Sequence, residues 1–122
     1  MGHLITSADT RTIHAAWWQE GETVTIRRWT TVQEDRLYEE ILRIAGRVGD
    51  VTEIQLKAAK VPVMDIGIKE WTLLGDDGKV LPLNRKTVEA LCSEDSTFIS
   101  NAIWDYNRGR NPEEEATFPA GA

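Results

Sequence analysis

The chain has 122 residues, 41% of them hydrophobic and 28% charged, a composition that fits one globular domain and excludes a disordered chain. Its net charge of −6 argues against nucleic acid as the main ligand, because phosphate contacts need clustered lysines and arginines. No apolar run approaches the roughly 20 residues that cross a bilayer, and the single cysteine allows no internal disulfide, so we expect a cytoplasmic protein without a membrane segment.

A β-hairpin is predicted near the N-terminus. Residues 23–28 alternate in side-chain character and are rich in β-branched types, which is typical of a short strand. Gly21 and Glu22 before them indicate a turn, so we expect residues 13–18 to form the partner strand. This hairpin would give the domain a short N-terminal β element.

The clearest helix is predicted over residues 31–48. Thr31 and Glu34 have the spacing of a capping box, in which the threonine oxygen and the glutamate side chain satisfy backbone amides of the first turn. Gly49 ends the predicted helix. Apolar side chains recur at offsets of four, three and four residues and share one face: Leu37, Ile41, Ile44 and Val48.

The middle of the chain combines a weak helix signal with a hairpin signal. A second helix is predicted over residues 52–60, and Pro62 is expected to break or kink it. The apolar run in residues 61–68 suits a helix or a strand, and periodicity leaves both open. Residues 69–83 predict a central β-hairpin, because the Asp-Asp-Gly sequence within them is typical of a turn.

Two more helices are predicted in the last third of the chain. Asn84 can cap a short helix, and Ser93 or Asp95 can cap a final amphipathic helix. Beyond them the sequence becomes acidic and rich in proline and glycine, which is typical of a tail. We therefore expect one globular domain over residues 1–110 and an acidic tail over residues 111–122.

Together these elements predict an α+β fold, a mostly helical single domain with a short N-terminal β element and a central β-hairpin. The helix at 31–48 and the final helix at 95–107 are expected to supply most of the core. The predicted core residues are Leu37, Ile41, Ile44, Val48, Trp71, Leu73, Leu91, Phe98, Ile99 and Ile103.

No residues have the spacing of a catalytic, cofactor or metal site. His3 and His14 stand eleven residues apart without a nearby cysteine, which matches no zinc motif. Cys92 has no identifiable base to activate it, and we expect it to be a small buried hydrophobic residue. The sequence therefore predicts a protein that is not an enzyme and that binds neither a metal nor a cofactor.

Tryptophan is unusually abundant, with five among 122 residues. Trp71 and Trp104 lie within apolar patterns, which favours core packing. Trp17 and Trp18 are neighbours on a predicted strand, so one is expected to face inward and the other outward. Trp29 ends the second strand. The predicted partner-binding residues are Trp17, Trp18 and Trp29. For Trp17 and Trp18 a core or sheet-edge position is the alternative.

Residues 66–83 contain an ordered set of motifs. A Gly-Ile pair at Gly67 comes first, Trp71 follows, and an Asp-x-Gly turn then precedes Pro82 and a final amphipathic helix. This order resembles tail assembly chaperones of long-tailed bacteriophages, over residues 22–107. The resemblance implies a protein of the host cytoplasm that self-associates and binds the tape-measure protein during tail assembly. Recruitment of tail-tube subunits is a further expectation.

Two other functions fit the same residues. A small structural tail or connector protein would use the same tryptophans and remain in the virion. A small regulatory protein would use its acidic surface instead. All of these functions involve protein partners, and none of them involves nucleic acid or a membrane.

Overall fold

The computed structural model describes residues 4–6, 8–45 and 59–107. It combines a three-stranded antiparallel sheet with four helices, and this confirms the predicted α+β fold class. In chain order the elements are β1 (Thr10–Ile13), β2 (Val24–Arg27), α1 (Thr31–Ala45), α2 (Lys60–Gly67), β3 (Ile68–Trp71), α3 (Arg85–Ala90) and α4 (Ser93–Asn107). The strand order in the sheet is β1-β2-β3, so β2 is central.

The N-terminal hairpin is present, but its first strand lies earlier in the chain than predicted. β1 pairs with β2 from Thr10 opposite Arg27 to Ile13 opposite Val24. The predicted strand at 13–18 is therefore wrong beyond its first residue. The chain turns instead, and the Trp18 amide donates to the Ala15 carbonyl at 3.0 Å. The residue types after Ile13 gave no sign that the strand ends there.

The helix α1 begins with a capping box one residue before the predicted one. The Gln33 amide donates to Thr30 Oγ1 at 3.2 Å, and the Thr30 amide donates to Gln33 Oε1 at 2.9 Å. Thr30 and Gln33 have the same three-residue spacing as the predicted pair. Three named positions of the predicted helix lie outside the described residues: the Ile44 side chain, Val48 and Gly49. The second predicted helix, at 52–60, also lies outside them up to residue 58, as does the predicted tail at 111–122.

The undecided run at 61–68 is helix up to Gly67 and strand from Ile68. Pro62 does not break the helix, because it lies in the first turn of α2, where an amide has no intrahelical acceptor to lose. At the other end of α2, a Cβ on Gly67 would lie 2.5 Å from Ile103 Cγ2. Glycine therefore permits α2 and α4 to approach this closely.

The central hairpin has the predicted turn but a reduced return strand. Gly78 has a φ of 77°, which suits glycine, and the Gly75 amide donates to the Lys79 carbonyl at 2.8 Å. The return segment makes only one bridge, between Leu74 and Val80. Pro82 follows without an amide to donate, which limits further pairing. β3 instead pairs with β2.

The core lies between the sheet and the helices, with α2 packed against both α1 and α4. Of the predicted core residues, those found buried are Leu37, Ile41, Trp71, Leu73, Ile99 and Ile103. Leu91 and Phe98 are only partly buried. Further buried residues come from β2, α2 and α3: Val24, Ile26, Val63, Met64 and Val88. Each such aliphatic side chain stabilises the fold by roughly 1.5–3 kcal/mol.

Candidate functional site

The turn after β1 brings two adjacent tryptophans to the N-terminal end of α4. Trp17 Nε1 and Trp18 Nε1 each donate to Asp95 Oδ1 at 2.8 Å. The two residues lie in a turn and not on a strand, yet one faces inward and the other outward, because Trp18 packs against the core and Trp17 is exposed. Both indole N–H groups reach the same carboxylate oxygen from the other end of the chain.

Phe98 lies against both of these indoles, one helical turn after Asp95. Its ring centroid is 5.4 Å from that of Trp17 and 5.4 Å from that of Trp18, with interplanar angles of 74° and 79°. Such edge-to-face contacts are a favoured geometry for aromatic rings. Trp17, Trp18 and Phe98 form what we call the aromatic cluster, and Asp95 fixes its two indoles.

Asp95 remains ionised at neutral pH despite its partial burial. Burial acts to raise its pKa, but hydrogen bonds from Trp18, Trp17 and Cys92 outweigh burial and hold the pKa below the usual range of an aspartate. Cys92 is exposed, so its predicted burial is wrong. It precedes α4 as a cap, since its carbonyl accepts from the Ser96 amide at 3.0 Å, and this position faces solvent.

The outer side of the aromatic cluster is open to solvent. Trp17 is 54% exposed, which is high for a tryptophan side chain held by two kinds of contact. Beside it lies an open depression of about 480 Å³, which we call the Trp17 groove. Its lining residues are Trp17, Ser93, Glu94, Thr97, Phe98 and Asn101. An exposed aromatic ring next to a shallow groove is typical of a surface that binds another protein.

Trp29 lies apart from this surface, although it was predicted to bind a partner as well. It is only 6% exposed and packs edge-to-face on Trp104, with ring centroids 5.1 Å apart. Its backbone amide donates to Asn107 Oδ1 at 2.7 Å. Trp29 therefore packs in the core, and its position differs from the exposed partner-binding position that the sequence predicted.

The other polar clusters have structural roles. Arg85 lies 2.6 Å from Glu40 and 3.4 Å from Asp65, which links α3 to α1 and α2. His14 shares a hydrogen bond of 2.7 Å with the Glu22 carbonyl. Within the described residues, no group of three or more His, Cys, Asp or Glu side chains is placed to hold a metal ion. The aromatic cluster thus remains the best candidate site.

Sequence reasoning identified Trp17 and Trp18 but missed Asp95 and Phe98 as their partners. Comparisons with protein-family models, curated proteins and solved structures give no match to this chain. Among the residues that the structure describes, no helix is long and apolar enough to cross a membrane. The functional assignment therefore depends on the geometry of the aromatic cluster and the groove beside it.

Proposed function

We propose that this protein is a bacteriophage tail assembly chaperone that acts in the host cytoplasm and binds the tape-measure protein through the aromatic cluster. The observation that carries the proposal is the exposed Trp17 ring, held in place beside the Trp17 groove. A chaperone of this kind binds without catalysis. Its surface needs apolar area and a fixed shape rather than reactive groups.

The aromatic cluster has the properties of an interface anchor. Tryptophan dominates the binding energy of many protein interfaces. Trp17 is held by a hydrogen bond to Asp95 and by the ring of Phe98, so little side-chain freedom is left to lose on binding. Binding of a partner chain therefore costs little conformational entropy at Trp17, because the side chain is already held in one orientation.

The motif order that resembles tail assembly chaperones includes the elements that support this surface. Residues 66–83 form the end of α2, β3 and the turn after it, and α2 packs on α4. The final amphipathic helix of the resemblance is α4, which contains Asp95 and Phe98. The same proposal includes self-association and recruitment of tail-tube subunits, which bring several chaperones onto one long partner.

Replacing Trp17 tests the proposal directly. Co-expression with a tape-measure fragment, followed by light scattering, is expected to show a soluble complex for the unmodified protein. Trp17→Ala should weaken the complex by at least about tenfold, because it removes the anchor. Tyr38→Ala is the matched control, since Tyr38 is an exposed aromatic residue, 38% exposed, on α1. Its complex should remain unchanged.

The other outcomes of this experiment separate the competing functions. A strict monomer that forms no complex would contradict the chaperone and favour a regulatory protein. A complex that survives Trp17→Ala would place the binding surface elsewhere. Recovery of the protein in finished virions would indicate a structural tail or connector component. Circular dichroism of each variant verifies that the fold is retained.

A further inference from the structure

The Trp17 groove combines aromatic faces with negative charge. Glu94 is exposed and lines the groove beside Trp17, and the ionised Asp95 lies behind the indoles. No lysine or arginine lines the groove. Lys60 on the neighbouring helix α2 is partly buried and donates to Thr97 Oγ1, in the groove lining, at 2.8 Å. The lining therefore presents one free carboxylate.

Trp17 offers a partner its exposed ring and not its N–H group. Both Nε1 donors are already bound to Asp95 Oδ1. The face of an indole carries negative electrostatic potential and attracts cations as well as apolar groups. An acidic partner segment would meet the negative charge of Glu94 and no free indole donor.

We infer that the Trp17 groove takes an arginine or lysine side chain from a partner segment. The aliphatic stem of that side chain lies along the Trp17 ring, and its charged end pairs with Glu94. This inference rests on the proposed function, and it adds the chemical class of the partner: an amphipathic segment with a basic residue beside its apolar face.

A pair of matched probe peptides tests this inference. Both are amphipathic helices without tryptophan and with the same apolar face, but one has arginine and the other glutamate at its polar positions. Fluorescence anisotropy of the labelled peptides measures binding to the full chain. The arginine peptide is expected to bind roughly fivefold to tenfold more tightly, from one cation–π contact and one exposed ion pair.

Two charge reversals on α4 separate a local effect from the net charge of −6. Glu94→Lys is expected to remove or reverse the preference for arginine. Asp105→Lys changes the net charge equally at an exposed position on the same helix, roughly 16 Å along its axis, and is expected to retain the preference. Circular dichroism verifies that both variants fold.

The possible results are decisive in both directions. A preference for arginine that Glu94→Lys removes and Asp105→Lys retains supports the inference. Equal binding of the two peptides, binding of neither, or an equal effect of the two reversals overturns it. The tape-measure complex reports separately on the proposed function. A complex that needs Trp17 but is indifferent to Glu94→Lys would overturn the inference alone, whereas absence of any complex would overturn the proposed function.

Discussion

At the scale of single residues, Asp95 organises the candidate site. One of its carboxylate oxygens accepts the indole N–H groups of both Trp17 and Trp18. These hydrogen bonds are charge-assisted and therefore stronger than bonds between neutral groups. They fix the orientation of Trp17 while leaving it 54% exposed. The carboxylate thus supports the proposed binding surface without lining the Trp17 groove.

Replacing Asp95 with asparagine should produce a stability defect that depends on pH. Because the pKa of Asp95 is lowered in the folded protein, its ionised form stabilises the fold above the unfolded pKa of about 3.9. We expect wild type to exceed Asp95→Asn by about 1 kcal/mol in unfolding free energy near neutral pH. That advantage should decline below about pH 4 and disappear below the folded pKa. Urea unfolding at a series of pH values measures it, and a constant difference would contradict the assignment.

Only part of the site could be predicted from the sequence. Trp17 and Trp18 were identified because tryptophan is rare and two adjacent ones are rarer. Asp95 lies 77 residues after Trp18, and no local pattern connects them. Trp29 has the same sequence character as the other two, yet its packing on Trp104 buries it. Whether a tryptophan is exposed depends on contacts between distant segments, which a sequence pattern does not contain.

At the scale of elements, local signals predicted helices better than strands. The helix α3 starts at the predicted cap, since the Thr87 amide donates to Asn84 Oδ1 at 2.9 Å. The spacing of apolar residues in α1 correctly predicted that Leu37 and Ile41 lie in the core. The sheet is different, because β3 pairs with β2 across more than forty intervening residues. The sequence predicted the turn of the hairpin at 69–83 but not the pairing of β3 with β2.

Thr30, just before α1, and Thr31, its first residue, allow a matched test of the capping box. Thr30→Ala removes the side-chain acceptor of the Gln33 amide, and we expect a loss of about 1 kcal/mol in unfolding free energy. Thr31→Ala is the control, because Thr31 is exposed and lies one residue inside the helix. Its effect should be close to zero. Thermal or urea unfolding of both variants measures the difference, and a larger effect at Thr31 would restore the capping box predicted from the sequence.

At the scale of the whole molecule, α2 connects the helices to the sheet. It packs against α1, α3 and α4 and continues without a break into β3. Val63 and Met64 are fully buried at its centre. The aromatic cluster lies at the beginning of α4, so its position depends on how closely α4 lies against α2. The close contact between α2 and α4 thus joins the core to the helix that carries Asp95 and Phe98.

Gly67→Ala tests that connection. In a helix this substitution ordinarily stabilises the protein by up to about 1 kcal/mol. The φ of Gly67 is not positive, so its backbone conformation suits alanine as well. Here the new Cβ would lie 2.5 Å from Ile103 Cγ2 and 2.8 Å from Ile103 Cδ1. Ile103 is fully buried, so relieving this contact requires the core to shift, and we expect a destabilisation of about 1–3 kcal/mol. Chemical denaturation measures the loss.

In an Ile103→Ala background the same substitution should cost much less, because the clashing atoms are gone. A Gly67→Ala protein as stable as wild type would mean that α2 and α4 lie further apart than described.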